Sequence, residues 1–472
     1  MTGPPASPDD PPREPADRLY RTARAVVGLA MRLFFRRIAI RGAENIPERG
    51  PVVLAANHPS GLIDTFSIAL ATERKVNFLA RSTLFTSPAR ARFLSRLGVI
   101  PVYRRMDAAS EMERNEEVFR ACRELLRRGG VIGIFPEGVT HVDPQVKQMR
   151  TGAVRIALGA EAESGFQLGV RLVPVGLNFS EPGAWRSDLT LRVGEAIGLR
   201  EHAGAFAADP EASARKLTED LRSHIENLVV HLPDLSKRPI VEAVCEVFAA
   251  DWVRDPWILP HLEDEATREI ELKRRVVAAI EYYSRFQPAW AVGMYRRVEA
   301  YRAALERLKV SDEMLRQKVG ALPLLKETVP AALVGILGAP LAVFGWLINA
   351  LPQLVTGWAA RRRAANPTQL AAYKMWIGLQ AFALFYAAVV LALYTWADLG
   401  RVALLVALLL LPVTGYLSSR YFAMMRGYWR NVRLTYLHLL RRGRLRELRF
   451  RRERLARDKE QIRRFFFNGE RA

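Results

Sequence analysis

Hydrophobic positions along this chain follow three successive rhythms. From Arg18 to Arg37, apolar residues (Tyr20, Ala23, Val26, Val27, Leu29, Ala30, Leu33, Phe34) recur among arginines at helical spacing. That is a basic amphipathic helix, able to lie in a membrane interface or to pack on its own domain. Short apolar runs follow at 38–41, 51–56, 76–80, 99–103, 131–135, 172–177 and 189–193, with amphipathic helical patterns such as 111–128 and 153–163 between them. Strands interleaved with helices predict an α/β domain over 38–205, built on a mixed, largely buried sheet flanked by helices. Residues 206–327 then carry long Arg- and Glu-rich helical patterns broken at Pro233, Pro239, Pro256, Pro260 and Pro288, which predicts a helical extension.

The third rhythm is uninterrupted. Residues 328–360 are 33 consecutive uncharged positions, 375–397 are 23 and 402–419 are 18. Each could cross a hydrocarbon core about 30 Å thick, for which roughly 20 helical residues suffice. The segment 328–419 is therefore expected to be a membrane region. Arg361, Arg362 and Arg363 and the basic C-terminus all favour the cytoplasmic face, so 375–397 and 402–419 are expected to form a two-span hairpin. If the α/β domain shares that face, the first stretch must enter and leave on one side. A bend at Gly338-Ala339-Pro340 then predicts a re-entrant pair of half-helices over 329–351.

Charge narrows the class of partner. The net +21 calls for a polyanion, and residues 421–472 hold 16 Lys and Arg against 5 Asp and Glu, so they alone supply 11 of those charges. Because they adjoin apolar spans, 420–472 reads as a basic cytoplasmic tail facing membrane phospholipids, and nucleic-acid binding ranks last. Residues 1–17, rich in Pro and Asp, read as a disordered tail and not as a signal peptide. Two cysteines, Cys122 and Cys245, exclude a disulfide framework, and the seven histidines show no metal-ligand spacing, so no metal is expected. Abundant Arg and Ala suggest a GC-rich bacterial genome, hence an inner-membrane location.

The candidate chemistry begins where the strand 51–56 ends, at Asn57-His-Pro-Ser-Gly-Leu-Ile-Asp64. Ligands of open α/β sheets bind beyond the carboxyl ends of the strands. On a continuous helix His58 and Asp64 would point apart, but Pro59, Ser60 and Gly61 are turn formers that could fold the carboxylate back onto the imidazole. Such a pair is a general base suited to an alcohol. In the strand Val99 to Arg104, Ile100, Val102 and Arg104 share a face, which leaves a guanidinium at the strand end to bind phosphate. Arg150 opens a further helix and is a second phosphate candidate.

These residues resemble the ordered blocks of the glycerol-phosphate and lysophospholipid acyltransferases. The first block is similar to Asn57-His58-Pro59-Ser60 with Asp64. The second is similar to Gly98-Val-Ile100-Pro-Val102-Tyr-Arg104, the third to Phe135-Pro136-Glu137-Gly138, and the fourth to Leu172-Val173-Pro174-Val175-Gly176. The resemblance covers residues 30–200. It implies an acyltransferase in which His58 and Asp64 are catalytic and Ser60, Arg104, Glu137, Gly138 and Arg150 line the acceptor pocket. It also implies acyl-CoA or acyl carrier protein as co-substrate, no cofactor, and direct transfer without an acyl-enzyme. Glu137 would bind a hydroxyl or pair with a basic residue.

The chain departs from most of the family in having five residues, not four, between His58 and Asp64, which puts the relay geometry in question. It also has Val139-Thr140-His141 where the lysophosphatidate enzymes commonly have Thr-Arg-Ser. With the stretch Thr151–Gly159, these features look more like the branch that acylates glycerol 3-phosphate and often dihydroxyacetone phosphate. Lysophosphatidate or another lysophospholipid is the alternative acceptor. A catalytically silent lipid-binding protein is the alternative of another class.

Overall fold

The computed structural model describes residues 16–103, 114–253, 265–312, 315, 321–397 and 399–468, and it divides into two units. The first holds the residues up to Leu235 together with Ala364–Met375. All seven expected strands form: β1 (Arg37–Arg41), β2 (Val52–Ala56), β3 (Val76–Arg81), β4 (Val99–Val102), β5 (Val131–Ile134), β6 (Arg171–Phe179) and β7 (Asp188–Val193), with a short β8 (Ile197–Gly198) besides. Their order is β1-β7-β6-β2-β5-β3-β4, parallel throughout except for β6, which runs antiparallel to β7 and to β8. The sheet is thus mixed and buried, with β2 at its centre.

Alternation along β2 decides what each face packs. Val53 and Ala55 join one core with Cys122, Leu126, Ile156, Leu158, Leu217 and Leu221. Val52, Leu54 and Ala56 join the other, with Ile68, Val76, Val173 and Leu191. The helices of this unit are α1 (Arg18–Phe34), α2 (Leu62–Leu70), α3 (Pro88–Arg96), α4 (Arg114–Arg127), α5 (Gly152–Glu163), α6 (Ala203–Ala208) and α7 (Pro210–Leu228). The boundary expected at 205 moves to 235, because α7 buries Ala214, Leu217, Leu221 and Ile225 in the first of these cores. α1 divides its apolar residues: Tyr20, Ala30, Met31 and Phe34 are buried, while Val26, Leu29 and Leu33 are exposed.

The amino-terminal rim of the sheet is tied by one buried arginine. Arg74 donates to the carbonyls of Pro47 at 2.8 Å, Gly50 at 2.6 Å and Gly129 at 2.5 Å, joining the turns that lead into β2 and β5.

The second unit is helical throughout its described residues: α8 (Arg238–Val253), α9 (Glu265–Phe286), α10 (Pro288–Leu308), α11 (Ala321–Arg363), α12 (Leu370–Ala397, from Trp376 onward), α13 (Arg401–Leu440) and α14 (Arg442–Asn468). The segments Ala332–Arg363, Pro367–Ala397 and Arg401–Leu437 are each long and apolar enough to cross a membrane. The half-helices expected over 329–351 are not there, since α11 runs unbroken through Pro340. Its small residues serve packing instead of a bend. Gly345 lies against the Thr414 carbonyl, Ser418 Oγ donates to the Ala342 carbonyl at 2.8 Å, and Tyr421 Oη donates to that of Gly335 at 2.6 Å. These pairs run in opposite order along the two helices, so α11 and α13 are antiparallel with their backbones close. Asn349, buried in α11, accepts from Tyr386 Oη at 2.6 Å.

The basic C-terminal segment is not a loose tail. Within α14, Asp458 pairs with Arg297 of α10 at 2.6 Å and Arg452 pairs with Asp312 at 2.9 Å, while Leu445, Leu448 and Leu455 are buried.

Replacing Arg74 by Met would leave three carbonyls without their cationic donor far from the carboxyl-end rim. A loss of about 3–5 kcal/mol is expected. Chemical denaturation of the isolated protein should record it.

Candidate active site

At the end of β2, Asn57 bonds both polar groups of Leu177 on β6. It donates to the carbonyl at 3.0 Å and accepts from the N–H at 2.7 Å, which pins the strand end to its neighbour. The chain then turns through Pro59, Ser60 and Gly61. Gly61 sits at φ 58° and ψ −121°, a conformation costly for any residue with a Cβ, and α2 starts at the next position. The turn brings Asp64 back toward the strand. Its Oδ2 meets His58 Nδ1 at 2.9 Å and accepts the Ser60 N–H at 2.7 Å. The fifth intervening residue is absorbed in this turn, so the longer spacing still gives direct contact.

His58 is held on its face as well. Its ring stacks on Phe135 with centroids 3.9 Å apart and planes 13° from parallel. With Nδ1 committed to Asp64, Nε2 is the ring nitrogen left for a reactant, and the His58 side chain keeps 14% exposure against 0% for Asp64. Burial pushes the Asp64 carboxyl up from its usual range. The His58 contact and the Ser60 N–H oppose that shift, and the nearby Glu137 charge adds to it. A carboxylate so deprived of water gains strongly from a cation beside it, which is what His58 becomes on taking a proton.

Glu137 follows β5 and its side chain is fully buried. Oε2 engages His141 Nε2 and accepts the Lys147 N–H at 3.4 Å. The His141 N–H donates to the His58 carbonyl at 3.3 Å, so one residue links both turns. Gly138 sits at φ 68°, and a Cβ there would lie 3.0 Å from Arg150 Nε. Arg150 therefore crosses directly over Gly138, with its backbone N–H on the Pro136 carbonyl at 2.8 Å. It is exposed, makes no side-chain ion pair or hydrogen bond among the described residues, and precedes the first turn of α5.

The loop from Val139 to Met149 is clamped from α7's far end. His231 Nδ1 accepts the Val146 N–H at 2.9 Å, Leu232 N–H reaches the Pro144 carbonyl at 2.7 Å, and Gln145 donates to the Pro233 carbonyl at 2.8 Å.

Of the residues expected from sequence, His58, Asp64, Glu137, Gly138 and Arg150 come together. Ser60 is 1% exposed, and its backbone N–H donates to Asp64 Oδ2. Arg104 lies outside the described residues. Sequence reasoning gave no role to Phe135, Asn57 or His231. His141 had a signal, an imidazole four residues past a buried carboxylate. Burial pushes the thiols of both Cys122 and Cys245 up to about 12, so neither is poised as a nucleophile.

The fold thus places a buried His–Asp pair and an acidic Pro-Glu-Gly turn on the carboxyl rim of a mixed α/β sheet. The sequence model of the Acyltransferase family matches residues 37–178. Over 144 residues, 30% of this chain and 36% of the relative, the sequence is 30% identical to the chloroplastic 1-acyl-sn-glycerol-3-phosphate acyltransferase of Arabidopsis thaliana. Over 205 residues, 43% of this chain and 26% of the relative, it is 26% identical to glycerol-3-phosphate O-acyltransferase 2 of Saccharomyces cerevisiae. The chain thus spans only about a third and a quarter of these relatives' lengths. The crystal structure of the 1-acyl-sn-glycerophosphate acyltransferase from Thermotoga maritima aligns with 45% of this chain and 84% of its own, at 21% identity and TM-score 0.31.

Burial holds His231 below the ordinary histidine range, with Glu226 opposing the shift and Arg222 reinforcing it. Between that depressed value and about 6.5 the unfolded chain binds a proton that the folded chain does not, so stability falls as pH drops through this window. Melting midpoints measured from about pH 7 to about pH 5 should decline less steeply in His231→Gln than in the wild type. Identical slopes would rule the group out.

Proposed function

We propose that this chain is a membrane-bound acyltransferase of phospholipid synthesis that moves a fatty acyl group from an acyl thioester to a hydroxyl of glycerol 3-phosphate. The observation that carries this reading is the His58–Asp64 pair, 2.9 Å apart inside the segment matched by the family. His58 Nε2 takes the proton of the acceptor hydroxyl as its oxygen attacks the thioester carbonyl. The tetrahedral intermediate collapses to the ester, and the departing thiolate receives the proton from His58. Asp64 fixes the tautomer and stabilises the imidazolium. Acyl-CoA or acyl carrier protein is the co-substrate, and the chemistry calls for no separate cofactor. Arg150 at the start of α5 is suited to the acceptor phosphate through its guanidinium and the helix N-terminus, and Arg104 is its proposed partner in that role.

The choice of acceptor rests on three features. His141 follows the Phe-Pro-Glu-Gly block, the His58–Asp64 spacing is long, and the yeast relatives named as glycerol-3-phosphate acyltransferases match over some 200 residues. Several relatives named as 1-acyl-sn-glycerol-3-phosphate acyltransferases match over about 144 residues, which supports lysophosphatidate as the second reading. The long apolar helices and the exposed apolar residues of α1 among its arginines support a multi-pass membrane protein. Its catalytic domain would face the cytoplasmic pool of acyl thioesters.

With one acyl-CoA, purified protein is expected to acylate glycerol 3-phosphate faster than lysophosphatidate. His58→Ala should reduce kcat by about 10²- to 10⁴-fold, the usual range for a general base. Near-wild-type turnover in that variant would overturn His58 as the base, whereas no turnover by the wild type would favour a silent lipid-binding protein. Arg150→Ala should raise KM for the phosphorylated acceptor roughly tenfold, as loss of a charged hydrogen bond implies.

A further inference from the structure

Past the end of α7, His231 accepts the Val146 N–H through Nδ1 at 2.9 Å, and its side chain keeps 14% exposure. An accepting ring nitrogen carries no proton, so the hydrogen of the neutral imidazole sits on Nε2, which faces Glu226 Oε1 at 3.4 Å. Val146 and Met149 are both buried in the core to which α7 contributes, so the loop is seated on the domain where the imidazole meets it. The next residue, Lys147, gives its N–H to Glu137 Oε2 at 3.4 Å. Three residues further on stands Arg150, whose guanidinium crosses Gly138.

A proton reverses the polarity of this contact. Histidinium donates from both nitrogens, so its Nδ1–H would point at the Val146 N–H, two donors with no acceptor between them. The two must part, and with Val146 goes the backbone that places Lys147 and Arg150. The charged groups around the ring are Glu226 and Arg222 of α7 and Glu137 of the turn after β5, while within the loop Asp143 and Lys147 pair with each other at 3.0 Å. Burial outweighs the two carboxylates and holds His231 below the ordinary histidine range, so the ring is neutral and the clamp closed near neutral pH.

We propose that His231 is a positioning residue for the acceptor pocket: as neutral imidazole it holds the backbone that carries Arg150, and on taking a proton it releases that backbone and weakens the hold on a phosphorylated acceptor. The substrate side of this proposal rests on the acyltransferase reading above, and the clamp rests on the loop geometry alone. The proposed base stands on the other turn, so the effect belongs in KM for the acceptor. The value of kcat should follow the protonation of His58 whether or not residue 231 titrates.

The test measures steady-state kinetics of the full chain with glycerol 3-phosphate between about pH 7.5 and about pH 5.5, across the usual histidine range. Asparagine carries Oδ1 where histidine carries Nδ1 and does not titrate, so His231→Asn keeps an acceptor for Val146 at every pH, and His231→Ala removes it at every pH. On acidification KM should rise roughly 3- to 10-fold more in the wild type than in His231→Asn, the worth of one hydrogen bond. Ionisation of the substrate phosphate acts on both proteins alike. His231→Ala should start from the raised KM and follow the shallower profile. A histidine that only filled space would give parallel KM profiles in the wild type and His231→Asn, and that result overturns the proposal. Hydrogen exchange in peptides covering residues 139–149, corrected for the intrinsic effect of pH, reads the clamp without substrate. The wild type should lose protection in acid where His231→Asn keeps it, and unchanged protection in the wild type overturns the proposal whether or not the variants fold. No turnover of glycerol 3-phosphate or lysophosphatidate by the wild type would instead overturn the function proposed above, and the exchange measurement would still decide the clamp.

Discussion

A carboxylate with no water around it must be surrounded by donors, and the rim of this sheet is organised to give Asp64 two of them. The Ser60 N–H and His58 Nδ1 converge on one oxygen, which requires the chain to reverse between strand and helix within a few residues. Gly61 permits that reversal, and Asn57 keeps the strand end still while it happens. Everything proposed about proton transfer depends on this one buried contact. A base held only by a surface carboxylate would be free to rotate, and its outward nitrogen would have no fixed address.

The two ends of the sheet divide the labour. At the amino ends, Arg74 gathers three carbonyls from the turns leading into β2 and β5 and holds the strands in place. At the carboxyl ends, the buried polar groups are incompletely paired, and titratable side chains stand close enough to perturb one another. That asymmetry is general for sheets of this kind. The second unit uses polar groups differently. There the seam between α11 and α13 relies on small residues and on hydroxyls bonded to backbone carbonyls, as expected where lipid gives no hydrophobic drive for helices to associate.

The strands were legible because each is a short apolar run with its own alternation, and the sheet's burial was legible because β2 and β5 are apolar on both faces. The His58–Asp64 contact could be anticipated only as an option, since the sequence displays turn formers and not the turn they make. Three things escaped for physical reasons. Gly338-Ala339-Pro340 looks like a bend when read alone, and becomes a packing surface only in the presence of α13, about eighty residues away in sequence. The end of the catalytic domain was misplaced because α7 has the polar composition of a surface helix while its narrow apolar stripe belongs to the core of the sheet. His231 has no local signature at all, because its partner Val146 offers only a backbone group.

The two turns that meet at His141 are mounted differently. His58 is fixed by a strand end, a stacked ring and a helix, whereas the stretch between Gly138 and Arg150 is held by the His231 imidazole, by backbone groups of Leu232 and Pro233 and by the contact of His141 with Glu137. The proposed base therefore rides on the stiff mount, and the turn carrying Glu137 and His141 on the adjustable one. A lineage with this arrangement could exchange one alcohol for another by altering a handful of loop positions, leaving its proton-transfer apparatus untouched.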